Sequence, residues 1–143
     1  MKMTIKIKRL SDDAKVPAYA HLGDAGMDLY AREGAVIKKG DMAMIPTGIA
    51  MEIPEGYVGL IWDKSGLATR HKLKTLAGVI DSGYRGEIQV GLFNFGRGNY
   101  AVEKHHKIAQ LLIQKIEHAE LEEVSELSDS SRGEGGFGST GKH

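Results

Sequence analysis

The segment MTIKIKRL alternates: Met3, Ile5 and Ile7 fall on one side, and Thr4, Lys6 and Lys8 on the other. A period of two predicts a half-buried strand. Residues 11–26 break the alternation with Ser, Asp, Pro and Gly, which predicts a loop leading into MDLYA. From Ala35 onward, the short apolar runs AVI, MAMIP, TGIAMEIPEG and YVGLIW are set off by turn formers such as KKGD. Two further runs, GEIQVGLFNF and KIAQLLIQKI, follow, with GRGN as a turn before YAV. Short strands at this spacing predict an all-β sandwich or barrel. One stretch is ambiguous. Between Lys107 and Leu127, residues Ile108, Leu111, Leu112, Ile116, Ala119 and Leu121 also fit a helical stripe, and periodicity alone leans that way.

The pattern stops after Leu127. SDSSRGEGGFGSTGKH holds one large apolar residue, Phe137, among five glycines. Such a segment buries too little surface to offset its ordering entropy and is expected to be mobile until something binds it. The expected organisation is one β domain over 1–127 and a flexible arm over 128–143. Arg132 and Phe137 give the arm a bidentate phosphate partner and a stacking face. RGEGGFGSTG also nearly matches the phosphate loop GxxxxGK[ST], with Gly133 and Gly138 at the right spacing but no lysine.

Composition narrows the function classes. Glycine accounts for 19 of the 143 residues, about twice the ordinary share of roughly 7%, which points to tight turns or backbone held close to a ligand. The 19 basic and 19 acidic residues cancel, which disfavours binding to nucleic acid by counterion release. The local cluster Lys104, His105, His106 and Lys107 reads as a solvated turn. Absence of cysteine excludes disulfides, thiolate metal sites and cysteine nucleophiles. No run of 18 apolar residues occurs and charge enters early in MKMTIKIKRL, so the expectation is an intracellular, cytoplasmic protein with no membrane partner.

Three internal stretches can carry chemistry. AGMDL sets the carboxylate of Asp28 at a loop-to-strand junction. DKSGLA offers Lys64, Ser65 and Gly66 after a strand; without a GxSxG elbow or a histidine base these suit phosphate binding better than nucleophilic catalysis. AGVIDSGYRGE reads as a strand, a tight turn at Ser82 and Gly83, and a hairpin that brings Asp81 and Tyr84 together at its tip. The six histidines show no metal-binding spacing, leaving a hard ion held through carboxylate, water and phosphate.

Taken in order, AGMDL, DKSGLA, GVIDSGYRGE, KIAQL and RGEGGFGSTG resemble the five-motif signature of the trimeric deoxyuridine triphosphatases (dUTPases), from about Ala25 to Gly141. The resemblance implies a jelly-roll-like (β-clip) barrel subunit, a homotrimer with active sites at subunit interfaces, and a strand rather than a helix at 107–116. It implies hydrolysis of dUTP to dUMP and pyrophosphate, which limits uracil incorporation into DNA and supplies dUMP for thymidylate synthesis. By the same resemblance, Asp81 activates the water that attacks the α-phosphorus, and Ser65 donates near the leaving oxygen beside Lys64, Gly66 and Gln110. Mg2+ rides on the triphosphate, with Asp28 holding a metal-bound water. Main chain near Gly78 and Gln89 reads the uracil edge, and Tyr84 lies against the sugar. The arm closes with Phe137 on the uracil and Arg132, Gly138, Ser139 and Thr140 on the phosphates.

Two positions depart from the family pattern. Lys64 stands where arginine is usual, and Gly83 where many members carry a second acid. Related dCTP deaminases need a carboxylate where this chain has Gly91, which argues against deamination. A regulatory protein that uses the nucleotide-closed arm as a switch is the alternative from another class.

Overall fold

The computed structural model describes residues 2–141. Eleven strands and one short helix follow in order among these residues: β1 Lys6–Arg9, β2 Met27–Tyr30, β3 Ala35–Ile37, β4 Met42–Pro46, β5 Ile49–Glu52, β6 Tyr57–Trp62, α1 Ser65–His71, β7 Leu73–Leu76, β8 Val79–Ile80, β9 Gln89–Asn94, β10 Tyr100–Val102 and β11 Lys107–Lys115. The strands form four sheets, ordered β2-β11-β6-β8, β4-β9-β7, β1-β5 and β10-β3. Every pairing is antiparallel. Inward residues of the sheets meet in one apolar cluster, with Leu29, Ile45, Ile49, Val90 and Leu111 fully enclosed.

Most predicted strands are present. The opening strand is shorter than its alternation suggests: only Lys6–Arg9 pair, against β5, and Met3 lies exposed before them. Residues 11–26 form the expected loop, tied to β2 by one bridge, Ala18 to Asp28. At Lys107–Lys115 the strand wins over the helix for a tertiary reason. β11 pairs with β2 on one side and β6 on the other, so a helix there would leave the backbone groups of both neighbours unmatched. The last strand ends at Lys115, and Glu117–Gly141 carry neither strand nor helix. The ordered ladder thus stops 12 residues before Leu127, and the final two residues of the expected arm lie outside the described residues.

The hairpin expected around Asp81 is corrected. β8 and β9 do not pair with each other: β8 joins β6, whereas β9 lies between β4 and β7. The cause lies upstream, where Ala77 and Gly78 both take positive φ (59° and 109°) and turn the chain out of the β7 sheet into the β6 sheet. The strands flanking Asp81–Glu87 therefore belong to different sheets, and the true hairpin is β7 with β9, closed by a long loop that contains β8. Helix α1 was not foreseen. Its seven residues, SGLATRH, are too few to show a period, and it stops at Lys72 in the left-handed conformation (φ 56°).

Candidate active site

The middle strand β11 assembles the first group of residues. Its register sets Gln110 opposite Asp28 of β2 on one side and Trp62 of β6 on the other. Asp63, Lys64, Ser65 and Gly66 follow Trp62 directly, so motifs 36 residues apart in sequence meet at one end of one sheet. Gln110 fits there because residue 26 is glycine; a Cβ on it would come within 2.4 Å of Gln110 Oε1. The Gln110 amide Nε2 donates to the carbonyl of Asp63 at 2.8 Å. Gln110 thereby braces the backbone that leads into Lys64 and Ser65.

Asp63 is held at its other end as well. Its carboxylate accepts from the Thr75 amide at 2.7 Å and from Lys74 Nζ at 2.8 Å, which stitches β6 to β7. Burial works to raise its pKa, but these donors outweigh burial and hold it below the usual aspartate value.

Asp28 is only 2% exposed. The carboxylate expected to hold a metal-bound water carries two ammonium groups in this structure. Lys64 Nζ donates to Oδ1 at 2.6 Å, and Lys107 Nζ stands 3.2 Å from Oδ2, an ion pair without hydrogen-bond alignment. Burial works against the charged form of Asp28, yet the two lysines outweigh it and lower the pKa. The same contact raises the pKa of Lys107. One carboxylate cannot neutralise two ammonium groups, so the cluster keeps a net positive charge. Beside it a cavity of about 250 Å³ is lined by Lys64, Gly66, Leu67, Arg70, His71 and Lys107, a surround suited to phosphate oxygens.

The second group lies along the β7–β9 loop, in a cleft of about 510 Å³ that includes Met44, Gly78, Asp81, Tyr84, Glu87 and Gln89. Gly78 is pressed onto β6: its carbonyl accepts from the Ile61 amide at 2.8 Å, and a Cβ would sit 2.9 Å from Ile61 O. Asp81 and Tyr84 come together as expected, through a turn in which the Tyr84 amide donates to Asp81 O at 3.1 Å. The Tyr84 ring lies over Gly86, and its hydroxyl donates to Glu87 O at 2.7 Å. Gly83 has open space around it. Gly91 is buried, and a side chain there would press on Leu76 O and Met44 Sδ, each 3.2 Å from its Cβ.

The arm forms a third group. Its hydrogen bonds, among the described residues, are internal: Arg132 Nε donates to Gly135 O at 2.6 Å, and the Ser139 and Gly141 amides donate to Gly136 O and Gly138 O. Phe137 is fully exposed. Neither cleft is lined by Arg132, Phe137, Gly138, Ser139 or Thr140, and the first cleft shares no residue with the second. Within one chain, the fold unites Asp28, Lys64, Ser65, Gly66 and Gln110, and separately Gly78, Asp81, Tyr84 and Gln89. Lys107, Asp63 and Glu87 were missed. Each stands inside or beside a motif, but its importance rests on a contact partner distant in sequence.

No group of three or more His, Asp or Glu side chains able to hold a metal occurs among the described residues, and Asp28 is taken up by its lysines. The donor set does not fit a magnesium ion caged by this chain. No helix among the described residues is long and apolar enough to cross a membrane.

A family model described as dUTPase matches residues 12–141. The deoxyuridine 5'-triphosphate nucleotidohydrolase of Clostridioides difficile is 50% identical over 139 residues, covering 96% of this chain and 97% of that protein. That of Clostridium tetani is 52% identical over 141 residues, covering 97% of each. Among solved structures, a mutant dUTPase of Staphylococcus bacteriophage 80alpha with dUpNHpp superposes with a TM-score of 0.93 at 34% identity, covering 99% of this chain and all of that one. A mutant dUTPase from phage phi11 of S. aureus, whose structure concerns coordination of a structural Mg(II) ion, gives 0.83 at 31% identity over 87% of this chain and 98% of that one. With its five motifs in order on a nearly all-β fold shared with these structures, the chain belongs to the dUTPase family.

Proposed function

We propose that the protein hydrolyses dUTP to dUMP and pyrophosphate, with the two clefts serving as complementary parts of a site completed in a homotrimer. The observation that carries this reading is the division of labour between them. One cleft is cationic and suits a triphosphate; the other holds a carboxylate, a tyrosine face and close backbone, and suits a nucleoside. The two share no lining residue within one chain, and in a homotrimer the cationic cleft of one copy would meet the nucleoside cleft of another.

Asp81 accepts a proton from the water that attacks the α-phosphorus, and pyrophosphate leaves as the new P–O bond forms. Ser65 donates its hydroxyl to the phosphate chain near the leaving oxygen. Gln110 acts on it indirectly, by holding the Asp63 carbonyl. The Lys64 ammonium has three donors and spends one on Asp28, so two remain for phosphate oxygens. A lysine here gives charge without the planar fork of the usual arginine, and Asp28 compensates by fixing where that charge sits. Magnesium bound with the triphosphate would supply neutralisation of its charge, with Asp28 the residue of this chain that would hold a metal-bound water.

Backbone near Gly78 and Gln89 reads the uracil edge, and Tyr84 lies flat on the sugar. The arm, residues 128–143, closes over the bound nucleotide, with Phe137 on the base and Arg132, Gly138, Ser139 and Thr140 around the phosphates. Nucleotide binding offsets the ordering cost of this exposed segment. Deamination is disfavoured because buried Gly91 leaves no room for the carboxylate it would need.

Pyrophosphate release from dUTP, dCTP, dTTP and UTP with magnesium tests the reading, with wild type measured beside Asp81→Asn. Release from dUTP alone is expected, falling by about 10²–10⁴-fold in Asp81→Asn while dUpNHpp still binds. Equal release from dUTP and UTP, or full activity in Asp81→Asn, would overturn it.

A further inference from the structure

Tyr84 is the residue assigned to the sugar, yet it stands on a loop with few ties to the body. The bonds of the Tyr84 amide to Asp81 O, the Tyr84 hydroxyl to Glu87 O, and Arg85 Nη1 to Ser82 O are all internal to residues 81–87. Such bonds fix the shape of the loop but not its position against β4, β6 and β9. Its C-terminal end is held through backbone, where the Ile88 amide donates to Ile49 O at 2.8 Å, and two side chains reach out from the loop itself. Arg85 Nε meets Glu52 Oε1 at 3.5 Å, an ion pair with both side chains about half exposed and therefore weak.

Glu87 is different. Its side chain is 20% exposed, and Oε2 accepts from the Gly48 amide at 2.8 Å and from Arg32 Nη1 at 3.3 Å. The turn between β4 and β5 is shaped for this contact. Gly48 has φ 71°, and a Cβ there would sit 2.8 Å from Ala14 Cβ and 2.9 Å from Arg32 Cδ. Arg32 in turn is set by its own amide, which donates to Pro46 O at 2.8 Å. The same residue whose carboxylate is anchored by Gly48 and Arg32 offers its backbone carbonyl to the Tyr84 hydroxyl.

We infer that Glu87 is the positioning residue that fixes the Tyr84 ring against the sugar and so sets discrimination between deoxyribo- and ribonucleotides. Discrimination against a ribose needs a ring that does not yield, because a sugar hydroxyl gains room if the wall moves. The anchor runs from the β4–β5 turn through the Glu87 carboxylate to the Glu87 carbonyl and the Tyr84 hydroxyl. Glu87 touches no reacting atom. The inference rests on the assignment of this cleft to the nucleoside.

The test is the ratio of kcat/KM for dUTP to kcat/KM for UTP, in wild type, Glu87→Ala, Glu87→Gln, Arg32→Met and Tyr84→Phe. Glu87→Ala is expected to lower the ratio about tenfold or more, mainly by admitting UTP, since an unyielding wall supplies discrimination that a loose pocket does not. Glu87→Gln keeps an acceptor for the Gly48 amide and should retain the wild-type ratio. Arg32→Met should lower the ratio less than Glu87→Ala, and it serves if the alanine variant does not fold. Combining Tyr84→Phe with Glu87→Ala should give no further loss, because both cut the same chain of contacts. If Glu87→Ala or Arg32→Met depresses dUTP and UTP equally, or leaves the ratio unchanged, the positioning role is wrong. If wild type does not hydrolyse dUTP at all, the parent assignment fails instead.

Discussion

Replacing Asp28 with asparagine removes one negative charge and almost no volume from a site that is 2% exposed. The sign of the effect follows from the titration. Burial alone would make the neutral form favourable, but Lys64 and Lys107 reverse that and lower the pKa. The charged form is therefore the one the fold stabilises, and neutralising it destabilises. The magnitude is set by the contact to Lys64 at 2.6 Å. A charge-assisted hydrogen bond of this kind is worth about 1.5–3 kcal/mol. The larger penalty of a stranded buried charge does not apply, because the freed ammonium groups can turn to water. For a chain of this size that corresponds to a fall in Tm of roughly 5–10 °C. Linkage supplies a second signature. The Asp28 contribution is fully present above the unfolded pKa of about 3.9 and is lost as pH falls through the lower folded value. Thermal melts of wild type and Asp28→Asn from pH 7 down to pH 2 should converge at the acid end. Equal melting temperatures at pH 7, or a gap that persists undiminished at pH 2, would refute the reasoning.

Two further outcomes separate the arm from the body and the glycine turn from its neighbours. A chain ending at Leu127 should melt within about 2 °C of the full chain, since removing exposed residues changes stability by about 0.5 kcal/mol or less; it should lose nearly all release of pyrophosphate from dUTP, and retained activity would show that closure by the arm is not required. Gly78→Ala should cost about 1–3 kcal/mol in denaturant unfolding, because alanine is strained at φ 109° and its Cβ meets Ile61 O at 2.9 Å; an unchanged midpoint would show that β6 and the β7–β8 corner can part freely.

Short apolar runs bounded by turn formers made β4, β6 and β9 legible, because both signals are local to the segment that carries them. They could not say which strand neighbours which. The segments on either side of Asp81 read as a hairpin, yet they join different sheets, since pairing is decided by the positive-φ corner at Ala77 and Gly78 and by partners up to dozens of residues away. β11 shows the same limit from the other direction. Its apolar stripe allows a helix, and only the two open edges of β2 and β6 demand a strand.

The site divides along the same line. The order of the motifs, the glycine-rich composition of the arm and the presence of Asp81, Tyr84 and Arg132 were determined by the sequence alone, because they depend on residue type and spacing. Tertiary structure decided that Asp28 holds lysines 36 and 79 residues away, that Gln110 braces Asp63, and that Glu87 is moored to Gly48. A charge or an amide carries no mark in the sequence of the partner it will meet. That partner is fixed only when strands distant along the chain are brought side by side, and burial then makes an unpaired group too costly to leave.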